Sequence, residues 1–345
     1  MKELPFNDWA DRLRAEWELA FAKGDFLDDD GPGAHLRPAT RAMLQSALGR
    51  FLRFLQSSRG LKCFQLDSSD LNPDLLSIYV DARRATCSER SIAIELRQIR
   101  SALLLLFPGL DLTWLLNAAK RIERNAPAKK QMLHLVTSDR LYLIGLKLMD
   151  QAMQDSRELG VVSKRSAFEY RDGLIILLLS LIPLRRRTLT ALRVGKHLIR
   201  SGELWALDIP AEDTKSNMPM EFSLCDALSR RIDAYLDEFR PQIPNAAGHN
   251  GLWVSNKGNP MDDGTIYDMV RRRTKAELGF GVNLHRFRHA ALTFWSIEDP
   301  NTIRAGKDLL GHRSFGTTEK FYIMAQSRIA GRVLAAAWTR NPYRE

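Results

Sequence analysis

From Pro38 onward the chain carries its apolar residues in a helical rhythm. Leu44, Leu48, Phe51, Leu52 and Leu55 recur at spacings of three and four, which places them on one helix face. The same rhythm predicts helices over residues 73–84, 88–107 and 112–124. Arg83, Arg84, Arg90, Arg97 and Arg100 fall on their polar sides, so residues 36–124 are expected to form a small helical domain with a charged outer surface. Residues 1–35 read differently: acidic, dotted with aromatics and closed by the Gly/Pro breaker DDDGPGAH, they predict a leader with an interaction or regulatory role.

The second half opens after RNAPAKKQ, a polar, basic and proline-interrupted stretch that predicts a linker over 125–136. A helical period returns at 137–153, and residues 171–192 are strongly apolar except for their arginine cluster. Short strand patterns at 203–209 and 220–224 flank the turn-rich AEDTKSNMP, which predicts a β-hairpin. Beyond 252–255 the pattern is helical almost to the end. The fold class expected is mainly α with a small β-hairpin or sheet, in a second domain over 137–324 followed by a helix and tail over 325–345.

The longest apolar run, residues 174–184, is about half of the ~20 residues that a spanning helix needs, so it predicts a buried core helix and no membrane role. The N-terminal MKELPFNDWADRLRAEW is too polar for a signal peptide. Cys63, Cys87 and Cys225 lie far apart without metal-ligand spacing, which fits unbridged thiols, no structural zinc and a cytoplasmic setting. Charge changes the picture more. The chain carries +10 overall, yet residues 1–30 hold four basic and nine acidic side chains, leaving +15 on the remainder. A folded body that basic points toward a polyanionic partner, of which nucleic acid is the usual one.

Four stretches in the second half carry candidate chemistry. IPLRRRTLTAL, residues 182–192, sends three arginines out of an apolar segment. LHRFRHAALTF, residues 284–294, puts His285 and Arg288 on one helix face. LLGHRSFGTTEKFY, residues 309–322, sets His312 ten residues before Tyr322, and Lys215 occupies the tip of the predicted hairpin. Taken singly, each has an ordinary structural explanation: solvated arginines, a packed tyrosine, a decorative lysine. Their conjunction and order carry the information.

That order of Arg, Lys, His-x-x-Arg, Gly-His and Tyr resembles the signature of the tyrosine recombinases, the phage integrase family, over roughly residues 135–330. The helical domain before it resembles that family's core-binding domain, and WVSNKGNPM (253–261) is similar to the loop before its His-x-x-Arg helix. Members show leucines four and seven positions after the first arginine. Arg185 as anchor puts Leu189 and Leu192 there, whereas Arg186, the fallback, puts Thr190 and Arg193. One departure is Thr188, where many members carry a glutamate that helps to orient the first arginine.

The resemblance implies transesterification of a DNA phosphodiester with Tyr322 as nucleophile. Arg185 and Arg288 would bind the non-bridging oxygens, since guanidinium forks match phosphate and stay charged. His312 and His285 would add hydrogen bonds or handle protons, and Lys215 would protonate the departing 5′ oxygen. Rejoining through a 3′-phosphotyrosyl bond needs neither ATP nor a metal, so no cofactor is expected. The implied partners are duplex DNA, further copies of the chain as dimers on each site and a tetrameric synapse, and an accessory directionality protein. Residues 327–338 carry Ile329, Val333, Leu334 and Trp338 at helical spacing, for a helix packed either on its own domain or on a neighbour. A catalytically silent DNA-binding protein and a type IB topoisomerase-like relaxing enzyme are the rival expectations.

Overall fold

A computed structural model describes residues 1–59, 71–127, 136–215 and 217–298. The chain divides into two compact units, Met1–Gln131 and Met132–Glu345.

The first unit is built from helices α1 (Asp11–Ala20), α2 (Pro38–Arg59), α3 (Pro73–Arg84), α4 (Glu89–Leu106) and α5 (Thr113–Asn125). The starts of α3 and α4 follow from local chemistry. Asn72 accepts the Leu75 N–H at 2.9 Å with Pro73 as the first helical residue, and Ser88 accepts the Ser91 N–H at 3.3 Å. The core gathers the predicted face of α2 with Tyr79, Ile92, Leu96 and Leu103. It also takes in residues expected to be a leader: Leu4, Trp9, Leu13 and Trp17 are all buried there. Trp9 and Trp17 meet edge to face at 5.5 Å between ring centroids. Asp11, Glu16 and Glu18 lie on α1 outside its buried face of Leu13, Trp17 and Ala20, and the other acids lie beyond the helix, so net charge hid that face.

Arg83 departs from its expected place as well. It is buried, and its Nε and Nη2 bond the two oxygens of Glu95 at 2.7 and 3.0 Å. Arg50 Nε at 2.7 Å and Tyr79 Oη at 2.5 Å complete the shell around that carboxylate. A buried charge is tolerated only when paired and hydrogen-bonded, and Glu95 meets that condition from three neighbours.

In the second unit, α6 (Ser138–Leu159) packs along α7 (Lys164–Leu181). Gly145 and Gly173 make this closeness possible, because a Cβ on either would meet the other's carbonyl oxygen at 2.8 or 2.7 Å. From Tyr170 through Ser180 every residue of α7 is buried, which explains why the sequence there lacks an amphipathic period. After a short α8 (Arg186–Thr190) come β1 (Leu198–Ser201), β2 (Leu204–Ile209) and β3 (Met220–Ser223). They form an antiparallel sheet in the order β1-β2-β3, with Leu198 opposite Leu207 and Ile209 opposite Met220. The fold class is thus mainly α with a small sheet, as expected; β1 is a third strand that the predicted hairpin did not include. Helices α9 (Asp226–Ala234), α10 (Asp263–Leu278) and α11 (Leu284–Glu298) complete the described part. No helix among the described residues is long and apolar enough to cross a membrane.

A buried ion network locks α7 to α10 and to the loop at 253–261. Arg171 and Arg273 bond opposite oxygens of Asp172 at 2.7 and 2.9 Å, while Arg171 Nη1 donates to the Val254 carbonyl at 2.5 Å. This frame holds the segments that flank the site.

Candidate active site

The site begins where α7 stops. Pro183 disfavours helical geometry in the residue before it, and Ile182 adopts φ −123°, ψ 89°. The helix ends, and its replacement starts at Arg185, the extended residue that caps α8. Within α8 and just beyond it, Leu189 and Leu192 are buried, whereas Thr190 is half-buried and Arg193 exposed. Trp253 fastens this turn from below by donating its indole N–H to the Leu189 carbonyl at 3.0 Å. Thr188, the departure from the family pattern, is buried.

The neighbouring arginines differ in surroundings. Arg186 is exposed and pairs with Asp263 at the start of α10, 3.2 Å away, over the ring of Tyr267. Arg185 is half-buried, and burial pulls its guanidinium below the usual range. It lies near enough to Arg288 for one charge to act on the other: burial first and Arg185 second pull Arg288 down to about 10. Arg288 therefore stays charged at neutral pH.

Helix α11 supplies Arg288 and His285. Asn283 accepts the Arg286 N–H at 3.1 Å, an N-cap that fixes the helix start. Arg288, buried one turn in, donates from Nη1 to the Pro183 carbonyl at 2.7 Å. That carbonyl belongs to the break after α7, so one guanidinium ties the two arginine-bearing segments together. His285 is exposed, and its ring meets that of His289 edge-on at 4.6 Å. Lys215 comes from the β2–β3 loop and is exposed.

These side chains share one cleft of about 410 Å³, lined by Arg185, Arg186, Lys215, Tyr267, Asn283, His285 and Arg288 among others. Residues as far as 103 positions apart in sequence are thus neighbours in space. Two guanidiniums drawn together in a partly dry cleft repel each other, and an anion with several oxygens offsets that cost. Asn283 was absent from the sequence expectations; its only signal was position, at the α11 cap. His312 and Tyr322 lie outside the described residues, as do the expected helix at 327–338 and most of the predicted linker. Among the described residues no group of three or more His, Cys, Asp or Glu could hold a metal ion.

A model of the phage integrase family matches residues 149–328, more than half of the chain. The chain belongs to that family, the tyrosine recombinases. Its match spans the whole cleft and continues through His312 and Tyr322. Among curated proteins it is similar to tyrosine recombinase XerD of Staphylococcus saprophyticus, 26% identical over 116 residues, 33% of this chain and 39% of that protein. XerD of Staphylococcus aureus strain Mu50 is 26% identical over 107 residues, 31% of this chain and 36% of that one. The match spans about two fifths of these relatives' length. Among solved structures, the XerH site-specific recombinase bound to palindromic difH substrate in a post-cleavage complex shares the fold. The TM-score is 0.58 at 17% identity, over 88% of this chain and 80% of that one. A lambda integrase tetramer bound to a Holliday junction has a TM-score of 0.51 at 16% identity, over 90% and 75%.

Proposed function

We propose that the chain is a site-specific DNA recombinase that cuts and rejoins duplex DNA through a bond between DNA and Tyr322. The observation that carries this reading is the convergence of Arg185, Arg288, His285 and Lys215 on one cleft of a tyrosine recombinase fold. Phosphoryl transfer asks chiefly for positioning and for charge stabilisation at the non-bridging oxygens. Arg185 and Arg288 provide both, with Arg288 aimed by its bond to the Pro183 carbonyl.

In this reaction the Tyr322 oxygen bonds to phosphorus as the bond to the 5′ oxygen breaks. The phenolic proton passes to a histidine, His285 or His312, and the departing oxygen takes a proton from Lys215. The link keeps the energy of the broken bond, and the freed 5′ hydroxyl reverses each transfer to rejoin the strand. The helical first unit acts as the core-binding domain and adds phosphate contacts, so affinity falls steeply with salt. Dimers on each site and a tetrameric synapse are the working assembly. The DNA-bound complexes of XerH and lambda integrase support this by analogy of fold.

The test is to trap DNA on the protein in its host and sequence what is covalently attached. A single recurrent junction supports recombination at one site. Recovery of no attached DNA, with protein present and folded, overturns the reading.

A further inference from the structure

A lysine that must deliver a proton has to be held, yet Lys215 is an exposed side chain on the connection between β2 and β3. Fixing such a side chain during the reaction costs conformational entropy unless the backbone beneath it is already set. Two sets of bonds set it. Thr214, buried beside Lys215, accepts the Met218 N–H at 3.1 Å, and its hydroxyl lies 2.9 Å from the carbonyls of Ala211 and Met218. These close the loop on itself and shape its tip.

Asp213 does something different, for its carboxylate reaches out of the loop. One oxygen, Oδ2, is 2.6 Å from Lys196 Nζ and 2.9 Å from His197 Nε2. Lys196 is half exposed and adds little by itself. His197 is the firm anchor: its side chain is buried, its Nδ1 accepts the Arg193 N–H at 3.1 Å, and its carbonyl accepts the Asp208 N–H at 2.8 Å. Because Nδ1 is an acceptor, the proton sits on Nε2 and points at Asp213. Arg193 lies three residues beyond the end of α8, the short helix that Arg185 caps. A continuous line of bonds therefore runs from the arginine-bearing turn through His197 to Asp213, two residues before Lys215.

We propose that Asp213 is a positioning residue, whose bonds to His197 and Lys196 hold the β2–β3 loop so that Lys215 faces the arginine cleft. This rests on the recombinase reading and deepens it, since Lys215 is the proton donor there. The carboxyl of Asp213 is held below its ordinary range, first by Lys196 and then by His197, so it remains ionised and able to accept both bonds.

The test separates holding the loop from holding the fold. Cleavage rates are measured on a duplex of the trapped sequence with either oxygen or sulfur at the 5′-bridging position of the scissile phosphate. Sulfur leaves without a proton, so it bypasses Lys215. Asp213→Asn should slow oxygen cleavage roughly tenfold or more while sulfur cleavage stays within about threefold of the unaltered protein. Lys196→Ala should give a smaller loss of the same kind, because His197 remains. Amide hydrogen exchange at Thr214 and Met218 should quicken in Asp213→Asn, a readout that needs no DNA. Equal slowing on both substrates, or full activity with unchanged exchange, overturns the positioning role. Lys215→Ala distinguishes the two levels: if sulfur fails to rescue it, the acid assignment in the recombinase reading is what fails. If sulfur rescues Lys215→Ala but Asp213→Asn behaves like wild type, the reading stands and the latch falls.

Discussion

The Arg288 guanidinium donates to the Pro183 carbonyl at 2.7 Å, joining α11 to the break after α7. One edge of the planar group is thereby committed to backbone, and its remaining N–H groups keep a fixed direction. Lysine at this place keeps the charge but cannot hold the carbonyl and fork two phosphate oxygens together. Arg288→Lys should therefore lower cleavage by about 100-fold or more while leaving DNA affinity within several-fold. Adduct formation beside a gel shift measures both. Near-normal cleavage would show that charge alone suffices at this position.

Arg185 and Arg186 are adjacent in sequence and unlike in surroundings. Arg186 is exposed and ion-paired with Asp263, whereas Arg185 is half-buried and acts electrostatically on Arg288. Arg185→Ala should cost cleavage on the order of 100- to 1,000-fold, the range for losing one aimed donor, and Arg186→Ala less than about tenfold. The opposite ranking in single-turnover assays would shift the first motif by one residue.

A phenol, Tyr267, lines the arginine cleft, so the assignment of Tyr322 as nucleophile needs a control at that position. Tyr267 lies beside Arg186, with the Arg271 guanidinium 5.4 Å from its ring centre. Tyr322→Phe should abolish the covalent adduct with binding intact, and Tyr267→Phe should leave an adduct. An adduct that survives in Tyr322→Phe and vanishes in Tyr267→Phe would reverse the assignment.

Much of the second unit was legible because the signals were local. Helical spacing located α6, the turn-rich AEDTKSNMP gave the loop between β2 and β3, and the family's leucine spacing, counted from Arg185, fell on Leu189 and Leu192, which are buried. What sequence could not show was pairing over distance. Arg83 looked like surface charge because its partner, Glu95, sits one helix further on. Asp213 looked like turn chemistry because its partner, His197, lies 16 residues earlier, ahead of β1. The leader was misjudged for a related reason. Its acids dominate the composition, while three apolar residues at helical spacing, Leu13, Trp17 and Ala20, decide where it packs.

Glu95 should make the first unit sensitive to acid. Burial alone would push its carboxyl up, but hydrogen bonds from Arg83, Tyr79 and Arg50 outweigh this and hold it below the usual range. A carboxylate depressed on folding contributes stability that is present above its unfolded pKa of about 4.3 and is lost as pH falls through the folded value. Melting temperature should drop below about pH 4, and Glu95→Gln should flatten that fall while lowering stability near neutrality by about 3 kcal/mol. An unchanged acid profile in Glu95→Gln would place the acid sensitivity elsewhere.

Trp17 and Phe26 test whether the acidic N-terminal segment belongs to the fold. Both are large aromatics within a few turns of each other, yet Trp17 is 0% and Phe26 91% exposed. Trp17 stands between Trp9 and Phe21, with ring centroids 5.5 and 4.9 Å away, and Leu13 and Leu44 belong to the same core. Trp17→Ala leaves a cavity that helices anchored by α4 cannot close, which costs about 3–5 kcal/mol. Phe26→Ala removes apolar surface that water already covers, and its effect should stay within about 0.5 kcal/mol. Denaturant unfolding of the full chain should therefore show an early first transition for Trp17→Ala and none for Phe26→Ala. DNA binding by Trp17→Ala should weaken at temperatures where that transition has begun and recover on cooling. If Trp17→Ala unfolds like the unaltered protein, the segment is a leader after all, and its packing adds nothing to the first unit.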